Sequence, residues 1–198
     1  MIWPALAVSM TLAKQRSRLL AGLMGVGLAV MAASGVSAVK QAPPDTVSFV
    51  DLDRYAGRWY EIASIPNRFQ KHCRGNTVAS YRPVAKQRIE VINSCLDKDG
   101  AVDTAQGIAR IVDSGSNAKL EVSFVSLFGW QLFWGDYWVL ELSPDYSYVI
   151  VGTPNFRYGW ILSRTPELSA EIRQYLDERL SAAGYDPAVF VDTPQGLE

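Results

Sequence analysis

The chain has 198 residues, of which 19 are basic and 20 acidic, giving a formal net charge of −1; it holds two cysteines and one histidine. The balance argues against nucleic acid, which selects basic surfaces, and one histidine excludes a multi-histidine metal site. Length and composition suit a single globular domain behind a short leader.

The N-terminal stretch reads as a leader. Lys14, Arg16 and Arg18 form a basic patch, Leu19 to Ala33 is an uncharged apolar run, and Val36-Ser37-Ala38 offers the small residues a signal peptidase reads. The spacing predicts a secretory signal over residues 1–38 with cleavage after Ala38; the run is short and rich in Gly and Ala for a membrane anchor, which needs about 20 apolar residues. Either Met1 or Met10 serves as the start. No cysteine lies near the cleavage point to carry a lipid, so the expectation is a soluble exported protein. Beyond residue 38 the count is 16 basic against 20 acidic residues, net −4. Residues 39–48, with Pro43-Pro44, read as a linker, and 49–198 as one domain.

Eight short runs follow, separated by turn signals. They are Arg58–Ile65, stopped by Pro66; Thr77–Pro83; Arg88–Leu96, ended by Asp97-Lys98-Asp99-Gly100; Val102–Val112; Lys119–Val125; Asp136–Leu142; Tyr146–Gly152; and Tyr158–Arg164. In the fifth, Leu120, Val122 and Phe124 share one face, with Glu121 and Ser123 on the other. Eight strands with short links predict an up-and-down antiparallel barrel or a sandwich. A closed barrel of about eight strands has room for one small ligand. A helix comes next, capped by Thr165 with Pro166 at its first position. Leu168, Ile172, Tyr175, Leu176, Leu180 and Ala183 form its apolar stripe, and Gly184 ends it. The stripe has to pack on the outer wall.

In an exported chain, Cys73 and Cys95 read as one disulfide. A hairpin of 76–84 with 87–96 pairs residues whose numbers sum to about 171, and a small irregularity brings the two cysteines opposite. His72, among Arg68, Lys71 and Arg74, reads as an exposed loop residue; a Cys-His nucleophile would need the thiol that a disulfide consumes. No phosphate-binding glycine loop or zinc-spaced cysteine pair occurs, and no cofactor is expected. The most apolar stretch, Phe128 to Trp134, is either a longer strand or core plug, or a ligand rim or membrane-touching patch.

Three blocks resemble one family. Asp53-Arg54-Tyr55-Ala56-Gly57-Arg58-Trp59-Tyr60-Glu61-Ile62-Ala63 resembles the Gly-x-Trp opening of the lipocalins. Gly135-Asp136-Tyr137-Trp138-Val139 is similar to their middle block. Tyr158-Gly159-Trp160-Ile161-Leu162-Ser163-Arg164-Thr165-Pro166 resembles the close of the bacterial, plant and apolipoprotein-D-like group. The resemblance implies an all-β fold: an eight-stranded up-and-down antiparallel barrel, plugged at the base by a short helical turn, with one C-terminal α-helix packed outside. It implies that Gly57, Trp59 and Arg164 are a structural signature, with the Arg164 guanidinium across the Trp59 ring. Strand alternation then turns Glu61, Ala63, Trp160 and Leu162 inward. With Phe124, Trp134 and Tyr137 these form the expected ligand-binding set, apart from Ala63; Glu61 is a head-group anchor or a satisfied structural carboxylate. The implied role is storage or transport of fatty acids, lysophospholipids or similar amphiphiles for envelope maintenance, in the periplasm, as a monomer or homodimer; Phe128–Trp134 is the expected stretch for any peripheral contact with the outer membrane. The alternatives are an enzyme on the same scaffold and a membrane-surface module.

Overall fold

The computed structural model describes residues 41–128 and 130–198. The expected signal segment and its cleavage point lie outside the described residues. Residues 41–48 carry no regular element, as a linker would, yet they are tied down: Val47 N–H donates to Val139 O and Gln41 Nε2 to Gly184 O, both at 3.0 Å.

A four-residue helix, α1 (Leu52–Tyr55), opens the domain. Asp51 caps it by accepting from the Asp53 and Arg54 amides. The strands follow as β1 (Gly57–Ser64), β2 (Cys73–Ala85), β3 (Arg88–Asp97), β4 (Val102–Ile111), β5 (Lys119–Ser123), β6 (Val125–Leu127), β7 (Trp130–Leu132), β8 (Gly135–Leu142), β9 (Tyr148–Gly152) and β10 (Gly159–Ser163), with a two-residue β11 (Val191–Asp192) near the C-terminus. Neighbours β1-β2-β3-β4-β5-β8-β9-β10 are all antiparallel, and β10 returns to β1 through Tyr60–Ser163 to Ser64–Trp160. Eight strands therefore close into a barrel, and the sandwich is excluded. Alternation divides each wall: Ile89 and Val91, Ala109, Leu120 and Val122, Val149 and Val151, and Leu162 fill the interior. β6 and β7 stand apart as a small hairpin, so the fifth run ends at Ser123.

Two bulges decide which residues meet α2 (Ala170–Ala182). In β1 the register shifts between Glu61 and Ala63, so Ala63 turns outward instead of inward. In β8 the shift between Val139 and Glu141 keeps Glu141 on the outer side beside Leu140, where it bonds Tyr175 and Arg179 of α2, and returns Leu142 to the interior. A bulge adds one residue to one strand and so resets the alternation. Ala63, Leu140, Ile150 and Ile161 then form a second core with Leu176 and Leu180 of α2 and with Tyr185 and Phe190. The helix starts later than its expected Thr165 cap. Ser169 is the cap, accepting from Ile172 N–H, whereas the Thr165 hydroxyl donates to Glu167 O and residues 164–169 are non-helical.

The β2–β3 hairpin pairs Tyr81 with Val91 and Val78 with Ser94, one residue off the expected register. Irregularities near Gly75 bring the cysteines together, and Cys73–Cys95 is a disulfide with Cα atoms 5.7 Å apart. Where β2 swings away from β1, the C-terminal segment fills the gap. Thr193 N–H donates to Ile62 O and Asn76 N–H to Pro194 O, and the Gln195 amide bridges the carbonyls of Glu61 and Thr77.

Candidate ligand-binding site

The base is sealed. Trp59 is fully buried; its Nε1 donates to Tyr55 O at 2.9 Å, and the Arg164 guanidinium lies 3.8 Å from its ring centre. Arg164 also donates to the carbonyls of Arg54, Tyr55, Arg58 and Tyr146. Gly57, at φ +94, makes the close turn beneath; a Cβ there would sit 3.4 Å from Arg164 Nη1.

Above the base three tyrosines meet. The Tyr137 hydroxyl is 2.7 Å from that of Tyr55 and 2.9 Å from that of Tyr81. Three hydroxyl protons serve two bonds, so one O–H is left over. Burial pushes all three well up from their ordinary range: Tyr81 to about 12, reinforced by the Glu61 charge, and Tyr55 and Tyr137 as a direction. They are neutral donors at any physiological pH. The trio walls a space of about 10 Å³ shared with Val50, Leu120 and Val139, the room of about one water molecule. The expected hollow interior is thus interrupted: the lower half is packed. A recess of about 880 Å³ lies outside the barrel, between residues 41–49, the end of α2 and strands β8–β9. It is open to solvent and carries Glu141 and Arg179, so it is not an enclosed apolar site.

The mouth half is different. Its inward positions lose cover toward the rim: Ala79, Asn93 and Trp160 are half-buried, and Ala105 and Phe124 are exposed. Phe124 lies against Gly107, where a Cβ would come within 2.7 Å of its ring. The Asn93 Oδ1 is buried with no hydrogen-bond partner among the described residues. Loop 65–72 crosses the rim. Its Gln70 donates through Nε2 to Glu61 (2.7 Å) and accepts from Trp160 Nε1 (3.4 Å).

Of the expected set, Glu61, Tyr137, Trp160 and Leu162 face inward and Phe124 closes over the mouth. Trp134 does not line the cavity. With Tyr137 inward, alternation sends Trp134 to the outer wall, where the Arg110 guanidinium stacks on it at 4.1 Å and bonds Glu121. Glu61 is buried and satisfied by Ser64, Gln70 and Thr193; it is therefore structural as placed. Sequence reasoning missed Asn93. The signal was a polar residue continuing the inward alternation Ile89, Val91, Asn93. The Phe128–Trp134 stretch is no core plug: Phe128, Trp130 and Phe133 are 93%, 76% and 83% exposed.

A closed eight-stranded barrel, sealed at its base by Trp59 and Arg164 and flanked by one helix, defines the class of barrels that hold a small hydrophobic molecule. The chain belongs to the lipocalin family: residues 50–195 match the lipocalin-like domain. It is 38% identical over 154 residues to temperature-induced lipocalin-1 of Arabidopsis thaliana, covering 76% of this chain and 82% of that protein. It is 34% identical over 160 residues to the outer membrane lipoprotein Blc of Escherichia coli K12, covering 79% and 87%. Among solved structures, insecticyanin from the tobacco hornworm Manduca sexta superposes with a TM-score of 0.62 at 24% identity, covering 78% of this chain and 85% of that one.

Proposed function

We propose that the protein binds one acyl-chain amphiphile, a fatty acid or lysophospholipid, in the mouth half of its barrel, and that it stores or moves such lipids for maintenance of the cell envelope. The observation that carries this reading is the asymmetry of the interior: a base closed by Trp59, Arg164 and the tyrosine trio beneath a less covered mouth half where Ala79, Trp160 and Phe124 offer apolar surface beside Asn93. The tail is held by burial, each methylene contributing about 0.8 kcal/mol. The head group sits at the rim, where Asn93 Oδ1 accepts a hydrogen bond. The basic patch, apolar run and small-residue site before residue 39 support export. The likeness to an outer membrane lipoprotein supports an envelope location, and the periplasm is the compartment proposed.

The exposed tip Phe128, Trp130 and Phe133 supports a further part of this reading. Large aromatics presented together beside a mouth are costly in water and suit a bilayer interface, so we place the loading step at a membrane surface. Two measurements test the proposal. Native mass spectrometry of protein from the periplasm is expected to show one defined added mass in the lipid range. Titration with lysophospholipid is expected to quench tryptophan fluorescence saturably, with Trp160→Ala weakening binding about tenfold and Trp134→Ala leaving it unchanged. No added mass together with no saturable quenching would overturn it.

A further inference from the structure

We propose that His72, Cys73, Cys95 and Asp103 form a binding site for a zinc-like divalent cation, silent while the two sulfurs are joined and available once they are reduced. The four residues come from three segments: the end of loop 65–72 running into β2, the end of β3, and the start of β4, where Asp103 pairs with Cys95. His72 Nε2 is 3.7 Å from Cys73 Sγ, 4.0 Å from Cys95 Sγ and 2.7 Å from Asp103 Oδ2. The His72, Cys73 and Cys95 ligand atoms lie within 4.8 Å of one another.

Those separations fit a tetrahedral ion. Bonds of about 2.3 Å to sulfur and about 2.0–2.1 Å to nitrogen or oxygen place tetrahedral ligands roughly 3.5–3.8 Å apart for nitrogen–sulfur and sulfur–sulfur pairs, and roughly 3.3 Å apart for nitrogen–oxygen. The imidazole already stands at the right distance from Cys73 and near it from Cys95. The Asp103 carboxylate stands beside the imidazole but outside the group that His72 and the two sulfurs form, so it has to turn from the imidazole toward the sulfurs to become the fourth ligand. The sulfurs have to part, which backbones 5.7 Å apart at Cα allow without movement of the strands. Two thiolates, one imidazole and one carboxylate suit zinc and not calcium or magnesium. The His72 and Asp103 side chains are half exposed, so an ion reaches them directly from solvent.

Opening the site requires a dithiol reductant. Its thiolate attacks Sγ of Cys73, the more accessible sulfur; the Cys73–Cys95 bond breaks and Cys95 leaves as thiolate. The reductant's second thiolate then attacks its own sulfur in the mixed disulfide and frees the Cys73 thiolate. The protein gains two electrons and the reductant leaves as a disulfide. The cation binds both thiolates, and protons they hold at neutral pH pass to water. The metal then takes over the staple between β2 and β3. It keeps loop 65–72, with Gln70 on Glu61 and Trp160, across the mouth when the disulfide is open. Nothing in this depends on which lipid the barrel carries.

Cobalt(II) titration of the full chain, reduced by a phosphine that does not bind the metal, tests the site. Reduced wild-type protein is expected to take up one equivalent with a thiolate-to-cobalt charge-transfer band and tetrahedral visible absorption, both removed by zinc. The oxidised protein should give neither, and His72→Ala should bind roughly tenfold or more weakly. Absence of the band in reduced protein with an intact barrel by circular dichroism overturns the proposal. So does equal binding by the oxidised protein, or unchanged affinity in His72→Ala. Where reduction unfolds the barrel, one equivalent of zinc is expected to restore its circular dichroism, and failure to do so counts equally against the site.

Discussion

Arg164 sits over Trp59, its guanidinium 3.8 Å from the ring centre, and the two residues come from the end of the last strand and from the first strand of the closed barrel: Arg164 directly follows β10 and Trp59 lies in β1. The contact is the place where the two ends of the sheet are fastened. Four hydrogen bonds from Arg164 reach backbone carbonyls around α1, the start of β1 and the turn before β9. Burial lowers the pKa of its guanidinium from the ordinary arginine value without approaching neutrality. A planar fork serves this geometry and a lysine ammonium does not.

Arg164→Ala is therefore expected to lower stability by about 1–3 kcal/mol, combining a cation–π contact with charge-assisted hydrogen bonds that are partly open to water. Arg164→Lys should recover less than half of that loss. Urea unfolding followed by Trp59 fluorescence measures both, and equal midpoints for all three proteins would show that the clasp does not matter.

Tyr137 is the hinge of the hydroxyl chain, touching both Tyr55 and Tyr81. Tyr137→Phe keeps the ring and leaves two buried hydroxyls without their bridge. A loss of about 1–3 kcal/mol is expected. Tyr81→Phe, at the end of the chain, should cost less, because it strands no second hydroxyl. Chemical denaturation of the two single mutants side by side checks the order.

The same trio sets an alkaline limit. Each of its hydroxyls keeps its proton to a higher pH when folded than the ordinary value of 10 that it has when unfolded. Between pH 10 and 12 the unfolded chain has lost protons that the folded chain retains, so stability falls as pH rises. The contribution is complete below pH 10. For Tyr81, moved to about 12, the loss across that window is on the order of 3 kcal/mol. Ultraviolet titration should find that the trio, with the buried Tyr185, ionises only with unfolding; gradual ionisation of all nine tyrosines in a folded barrel would contradict the buried trio.

The Cys73–Cys95 link spans 22 residues and ties the end of the mouth loop to β3. Replacing both cysteines by serine should cost about 3 kcal/mol, the loop-closure value for a ring of this size. Limited proteolysis should then cut within residues 65–72 faster than elsewhere. A variant as stable and as resistant as the parent would show that the bond is dispensable to the barrel.

Much of the architecture was legible in the residues because it is local. Alternation over four to ten residues marks a strand, and turn signals such as Asp97-Lys98-Asp99-Gly100 mark its end. The two cysteines were legible in the same way, and the Gly57-x-Trp59 opening and Arg164 through the family resemblance of their blocks. The site was only partly so. Inward placement of Glu61, Trp160 and Leu162 followed from counting by two along strands anchored at Trp59 and Arg164. The count failed at Ala63, where a bulge inserts a residue. It was never anchored at Trp134, which stacks under Arg110 on the outer wall.

What the sequence determined by itself was the number of barrel strands, the disulfide and the apolar helix stripe, since each is written in spacing a few residues long; the clasp residues were legible through the family resemblance of their blocks. Tertiary structure alone decided the rest. Bulges form where the wall has to meet α2, and Ser169 caps that helix while the Thr165 hydroxyl is engaged with Ser163 and Glu167. Three tyrosines from α1, β2 and β8 fill the lower barrel, and a C-terminal segment plugs the gap between β1 and β2. Each of these depends on contacts between segments far apart in the chain, and packing density, not periodicity, selects among them.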